Sequence, residues 1–385
     1  MRVAFIAPPH HSIPSHEGYG GISRDVHELS EHFAAEGHDV SLLCSGDSDP
    51  AIPGVEVIPV IEQSIGRQGL SGVDYEEAVS EAENAIIKTA LQLEADVINL
   101  RWERYKIAAY LGSHSTPLVT SFSCGPDEQI EGILADRFIR RDFTAHTYAQ
   151  KQALGGDRAI NVLPCGVNMD AVAPSLKPLT ETGETPALDV LRDLQAEGRD
   201  YFTQVALIRP TKGQATAIEI AKQAEMPIIL AGTPKPSKPD SVNYLNEVIL
   251  PQVDDRNVYF LGEVNEQQKY ELMRYARATL FCSGIEAPFL EAFGRVLAES
   301  AAVGTPVLGY RSGSFPELIE RRGIGLGFNE TDEAIAQADK IDEVNRARCA
   351  EQARAALSTA RLAPKILRFF ELVADKKSKK ITLVS

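Results

Sequence analysis

Glu291 and Glu299 stand eight positions apart in EAFGRVLAES, across a loop-to-helix junction marked by Phe293 and Gly294. Ionised carboxylates only accept hydrogen bonds, so acids placed there suit the hydroxyls of a sugar or a ribose. The start of the following helix offers the opposite chemistry. Its unbonded amides and positive dipole end suit a diphosphate, and the backbone of Phe293, Gly294, Arg295 and Val296 would supply them. Lys212, beside Gly213 in RPTKGQA, adds a cation at a second strand-to-helix turn, with Arg209 just before it. Gly20 and Gly21 precede another helix and let the backbone approach a ligand closely. The sum is a set of hydroxyl-binding acids beside an anion site built largely of backbone.

The same residues have plainer readings. Glu291 can be a helix-terminus charge, Glu299 a solvated helix residue, Arg209 a surface arginine and the double glycine a flexible turn. Glu286 and Glu317 lie near the block and carry no catalytic assignment.

The elements that must position these groups are legible in the apolar pattern. Strand-sized runs alternate with amphipathic helical segments, as in parallel α/β sheets. Strands are expected at 3–7, 40–44, 97–100, 118–122 and 161–163, and again at 202–208, 228–231, 258–261, 279–283 and 307–309. Ile22, Val26, Leu29 and Phe33 recur at helical spacing, and Gly37 can close that helix. Pro117 and Pro164 sit at strand edges, where a missing N–H is tolerated. Between the two series, residues 171–200 open with a Pro-, Thr- and Gly-rich stretch that reads as a linker. The pattern implies two Rossmann-like domains with a cleft between them, and ligands bind such sheets outside the carboxyl ends of the strands.

Composition narrows the function. The 385 residues are enough for two domains, and 44% hydrophobic with 24% charged residues fits a globular protein. A net charge of −15 argues against general nucleic-acid binding, which needs a basic footprint. Apolar runs are strand-sized, so no transmembrane helix is expected, and the N-terminus enters a strand with no signal-peptide pattern. Five scattered cysteines form no C-x-x-C pair, so neither a zinc site nor a disulfide framework is indicated; reduced thiols in a cytoplasmic protein are expected. KKSKK at 376–380 can touch anionic lipid, although a solvated terminus is the simpler reading.

Four segments carry a family resemblance. The block from Glu291 through GTPV resembles the E-x7-E block of the retaining GT-B glycosyltransferases of family 4. RVAFIAPP, the YGGISRDVHELSEHFAAEGHDV segment and INVLPCGVNMD resemble that family's first strand, glycine turn with first helix, and the end of its first domain. The resemblance implies the GT-B fold, with an N-terminal acceptor domain over 1–172, a donor domain over 173–363 and a last helix, about 364–385, packing back on the first. It also implies a metal-independent, retaining hexosyl transfer from a nucleotide-diphosphate sugar, with no cofactor. Gly20 and Gly21 would face the donor diphosphate and sugar, Lys212 the departing diphosphate, and Glu263 and Val264 the nucleotide base. Glu291 would bind sugar hydroxyls and Glu299 the ribose.

Two departures stand out. The family's G-R-x-x-x-x-K-G has Leu207 at its arginine position, leaving Arg209 as a possible stand-in. TPLVTSFSC resembles a strand that ends in T-x-H in the family, and here Ser123 takes the histidine position. Serine cannot carry that residue's charge at neutral pH. His10, His11 and His16 are possible substitutes, with His11 preferred for its place just after the first strand. Two rival readings stay open: a non-catalytic sugar-nucleotide-binding subunit, and a nucleotide-sugar epimerase, for which no acid and base pair is evident. A Rossmann oxidoreductase is poorly supported, since no G-x-G-x-x-G follows the first strand. The acceptor is not readable, but its pocket should involve loops 8–19, 62–75 and 101–106, where Tyr19, Trp102 and Tyr105 can stack on a ring or, for Trp102, fill the core.

Overall fold

A computed structural model describes residues 1–15, 20–139, 142–156, 159–172, 186–235 and 238–382, with side chains for all of these except 186–188 and 376–382. The chain divides into two compact units, one from Met1 to Gly166 together with the residues from Thr359 onward, the other Val167–Ser358. Much of the expected linker, 173–185, lies outside the described residues.

Unit 1 holds one parallel sheet in the order β3-β2-β1-β4-β5-β6-β7. Its strands are β1 (Arg2–Ile6), β2 (Asp39–Ser45), β3 (Val55–Ile61), β4 (Val97–Leu100), β5 (Leu118–Ser121), β6 (Phe143–Ala145) and β7 (Ile160–Val162). Helices α1 (Gly21–Ala35), α2 (Gly72–Gln92), α3 (Tyr105–Gly112), α4 (Glu128–Ala135) and α5 (Tyr148–Ala153) connect them. Two of these strands are absent from the apolar pattern. β3 is an edge strand containing Pro59, which an edge tolerates because one side of the ladder needs no N–H. β6 is three residues long, too short to alternate.

Unit 2 repeats the plan with the order β10-β9-β8-β11-β12-β13. It comprises α6 (Pro186–Ala196), β8 (Phe202–Val205), α7 (Gln214–Gln223), β9 (Ile228–Ala231), α8 (Pro239–Asn243), β10 (Val258–Phe260), α9 (Glu266–Tyr275) and β11 (Ala278–Phe281). These are followed by α10 (Arg295–Ala302), β12 (Val307–Tyr310), α11 (Phe315–Leu318), β13 (Gly325–Phe328), α12 (Thr331–Ala338) and α13 (Arg346–Leu357). β8 ends at Val205, short of the expected 208, because the chain turns toward Pro210; Ile208 keeps a single bridge to Pro234. β13, unrecognised in the sequence, is built on glycines: a Cβ at Gly325 would lie 2.2 Å from the Val307 carbonyl oxygen.

The final helix, α14 (Thr359–Thr382), packs within unit 1. Its Ala363, Ile366, Leu367, Phe370 and Val373 join Val3, Phe5, Val26, Leu29 and Phe33 in one apolar cluster. The Phe370 ring meets Phe33 edge-on at 5.8 Å between centroids. Gly37, at φ 81°, follows α1, and His38 N donates to Phe33 O there, so the helix closes where the sequence places its stop.

In each sheet the strand order reverses direction between two central strands, β1 and β4 in unit 1, β8 and β11 in unit 2. Loops leaving the carboxyl ends of such a pair splay apart and leave a crevice, the preferred ligand position in open parallel sheets.

Candidate functional site

In unit 2 the loops after β8 and β11 carry the predicted charges. Lys212 closes a short 3-10 turn, Pro210–Lys212, and Gln204 Nε2 donates to its carbonyl at 2.7 Å. A Cβ at Gly213 would lie 2.4 Å from the Cys282 carbonyl oxygen, so only glycine lets this turn press against the end of β11. That approach brings the Lys212 ammonium onto Glu291 Oε2, although the two are 79 residues apart in sequence. Ser283 Oγ lies 3.5 Å from the same oxygen. The Glu291 backbone is fixed from the β12 side, where Ser314 N donates to its carbonyl at 3.0 Å. Both side chains of the pair are about one-sixth exposed (15% and 17%), so it is accessible rather than sealed.

Phe289 is the organiser that the sequence did not reveal. Lys212 Nζ lies 4.5 Å from its ring centroid and the Arg209 guanidinium carbon 5.0 Å from the same centroid. Two cations over one aromatic ring are held by its quadrupole. Arg209 also donates to Thr211 Oγ1. It is therefore a placed residue of this cluster, whereas Leu207 is buried at 7% exposure and brings no charge.

Gly294 caps α10 in the left-handed conformation (φ 69°, ψ 74°), turning the chain so that the helix begins directly after the buried Phe293. The competing helix start, that of α7, is closed internally. Tyr244 Oη accepts from Ala215 N at 2.9 Å and Glu286 accepts from Thr216 N at 2.7 Å, while Tyr244 donates to Glu286 at 2.6 Å. Glu286 is thus a helix-capping acid, and these two amides of α7 are already paired.

Glu299 is not a solvated helix residue. It is 3% exposed and paired with Lys269 on α9, Nζ to Oε1 2.9 Å, with Arg295 Nε at 3.7 Å from the same oxygen. Lys269 in turn stands 4.5 Å from the centroid of Tyr270. Sequence reasoning missed Lys269; the only trace was the N-x-x-Q start of α9, where Asn265 and Gln268 form a capping box. Val264, in the loop before α9, is buried with Tyr201, Leu194 and Leu272, while its neighbour Glu263 is exposed.

Unit 1 shows a second polar concentration at its switch point. Gly20 precedes α1 at φ 143°, and a Cβ there would lie 2.6 Å from Ser15 Cβ; Gly21 is the first residue of the helix. Asp25 on α1 and Arg101 just after β4 form an ion pair, 2% and 3% exposed. Burial works against the Arg101 charge, which Cys165 and Glu103 support. His146 is buried and pushed down to about 3, by burial first and by Arg101 second, so it is neutral; its Nδ1 accepts from Cys165 N at 3.2 Å.

The three candidate histidines separate. His10 bonds Tyr75 Oη at 2.8 Å and meets the Trp102 ring edge-on at 5.5 Å, which makes it part of the local packing. His11 is half-buried beside Gly66. His16 and Tyr19 lie outside the described residues. Trp102, 7% exposed, belongs to the core, and Tyr105 is exposed with its hydroxyl on Asp136. All five cysteines are free, and only Cys124 is exposed. Among the described residues no helix is long and apolar enough to cross a membrane, and no group of three His, Cys, Asp or Glu side chains could hold a metal ion.

Comparison with known proteins places this geometry. Residues 192–361 match the family model described as glycosyl transferases group 1. The chain is 23% identical over 408 aligned residues to the phosphatidyl-myo-inositol mannosyltransferase of Mycolicibacterium smegmatis, spanning 97% of this chain and 94% of that one. Among solved structures it is similar to AviGT4, a glycosyltransferase involved in avilamycin A biosynthesis, with a TM-score of 0.70, 20% identity and coverage of 97% and 98% of the two chains. It is also similar to Anabaena HepE in complex with UDP, with a TM-score of 0.67, 18% identity and coverage of 96% and 100%. These likenesses establish the fold as GT-B, with two Rossmann-like α/β units.

Proposed function

We propose that this chain is a glycosyltransferase that moves a hexose or N-acetylhexosamine from a uridine diphosphate sugar to an acceptor hydroxyl, with retention and without a bound metal. The observation that carries this reading is the convergence of Lys212, Arg209, Glu291 and the start of α10 at the switch point of the second sheet. The UDP bound by HepE supports the choice of donor.

The chemistry follows from those groups. The bond from the anomeric carbon to the diphosphate oxygen breaks as the acceptor oxygen bonds on the same face, and the hydroxyl proton passes to the departing phosphate. Lys212, Arg209 and the backbone of Phe293 to Val296 stabilise the charge that develops on that phosphate, which is the main electrostatic demand. Glu291 orients sugar hydroxyls and Glu299 the ribose. Glu263 and Val264 lie against the base. Gly20 and Gly21 are assigned to the diphosphate and sugar, and His11 to the reacting sugar. No carboxylate nucleophile is required, unlike in retaining glycosidases.

Isothermal calorimetry of UDP binding, with and without chelator, tests the site. Binding is expected to be unchanged by chelation; loss of binding on chelation would reject the metal-free reading. Measurable release of UDP from a UDP-sugar separates the transferase from a binding subunit, the rival that the uncharged Leu207 favours.

The two acids should also part company. Glu299→Ala is expected to weaken UDP binding roughly tenfold or more, and Glu291→Ala chiefly to lower turnover and sugar selectivity, since a hydrogen bond to a charged group is worth about 1.5–3 kcal/mol. Glu299→Ala also strands Lys269, so its thermal unfolding must be recorded alongside. Wild-type affinity for UDP and for the full donor in both variants would refute the hydroxyl-binding roles.

A further inference from the structure

We propose that Glu103 orients the attacking hydroxyl, taking over in unit 1 the place that a histidine would hold at Ser123. The proposal rests on the transferase reading above and adds a residue to it.

Glu103 follows β4 and Ser123 follows β5, so both stand at the carboxyl ends of adjacent strands, next to the switch point. Ser123 N donates to Glu103 Oε1. The acid is thereby tethered to the residue whose type departs from the resembling family. Ser123 Oγ is buried and has no hydrogen-bond partner among the described residues. Buried polar atoms are rarely left so, and a ligand hydroxyl would satisfy this one while donating to the neighbouring carboxylate.

The surrounding charges leave Glu103 available. Arg104 bonds Glu83, and Lys106 lies 3.8 Å from the same carboxylate. Arg101 is paired with Asp25. Glu103 itself has no ion pair among the described residues and is half-buried. Burial pushes its carboxyl up, the Ser123 amide and Arg101 pull it down, and Asp127, which caps α4, pushes it up again. An ionised carboxylate there is a pure acceptor. It holds the acceptor by another O–H, a hydroxyl beside the attacking one or the second O–H of an attacking water, so the attacking O–H keeps its own proton for the departing phosphate.

The test measures UDP affinity by calorimetry and UDP release to water from UDP-glucose, UDP-galactose and UDP-N-acetylglucosamine, for wild type, Glu103→Gln and His11→Ala. Glu103→Gln is expected to cut turnover about tenfold to a hundredfold, the scale of a lost hydrogen bond to a charged group, with UDP affinity within twofold of wild type. Because the ionised form is needed, wild-type turnover should fall as pH drops through the raised carboxyl, and the variant should lose that acidic limb. Turnover and pH profile unchanged in Glu103→Gln would overturn the proposal, as would a loss confined to His11→Ala. If wild type neither binds UDP nor releases it from any of the three donors, the transferase reading itself fails and this proposal with it.

Discussion

Lys212→Ala should lower turnover by about 10²–10³, the loss seen when one preorganised donor to a developing anion is removed. The side chain meets the carboxylate of Glu291 and the face of Phe289, so its position is fixed before any substrate arrives. A charge held in place contributes to the transition state without being reorganised during the reaction. Removing it also leaves Glu291 without its cationic partner in a largely shielded place, which carries its own stability cost. The two effects separate by experiment. Lys212→Ala paired with Glu291→Gln relieves the stranded charge but cannot restore the lost cation, so its unfolding midpoint should recover while turnover stays low. Turnover of Lys212→Ala within threefold of wild type, at equal folded fraction, would remove the lysine from the reaction.

Why Lys212 and Glu291 could be read from the sequence and Lys269 could not is a question of range. The first two lie in local signatures, a Lys-Gly turn after a strand and an acid before a Phe-Gly helix start. Lys269 sits in a polar helix whose average hydropathy gives no sign that it points inward, and only the packing of α9 beside α10 sets it on Glu299. Phe289 was one aromatic residue in a loop until the 3-10 turn brought two cations over it. Glu286, an acid close to the motif with no catalytic role assigned from the sequence, serves as the cap of α7.

The fold shows the same division. IILA at Ile228–Ala231 is a continuous apolar run and VINL at Val97–Leu100 one interrupted only by Asn99; both are buried along their length, and the strands match them. β3 with its proline and β13 with its glycines are edge strands, where one neighbour is missing and the residue rules relax. Strand order was not legible at all. It is what sets β4 beside β1, and with it Arg101 beside Asp25, 76 residues away.

That pair supports the second large expectation. Asp25→Ala should destabilise unit 1 by about 3–5 kcal/mol, the cost of stranding one charge of a buried pair. Arg101 is 3% exposed, and among the described residues its Nε has no hydrogen-bond partner, so water cannot replace the lost carboxylate. Glu103 also favours the arginine's charge, but its hold on Ser123 N keeps it from moving over. The doubly apolar variant Asp25→Leu with Arg101→Met removes both desolvated charges and should regain most of the loss, because a buried pair replaced by well-packed apolar groups is about neutral or better. Trp102 makes the measurement specific to this unit: it is the one tryptophan of the chain, buried next to Arg101. Its fluorescence during denaturant unfolding reports unit 1 without interference from unit 2. An unchanged midpoint for Asp25→Ala, or a double variant no more stable than the single one, would show that the pair is not what holds α1 against the end of β4.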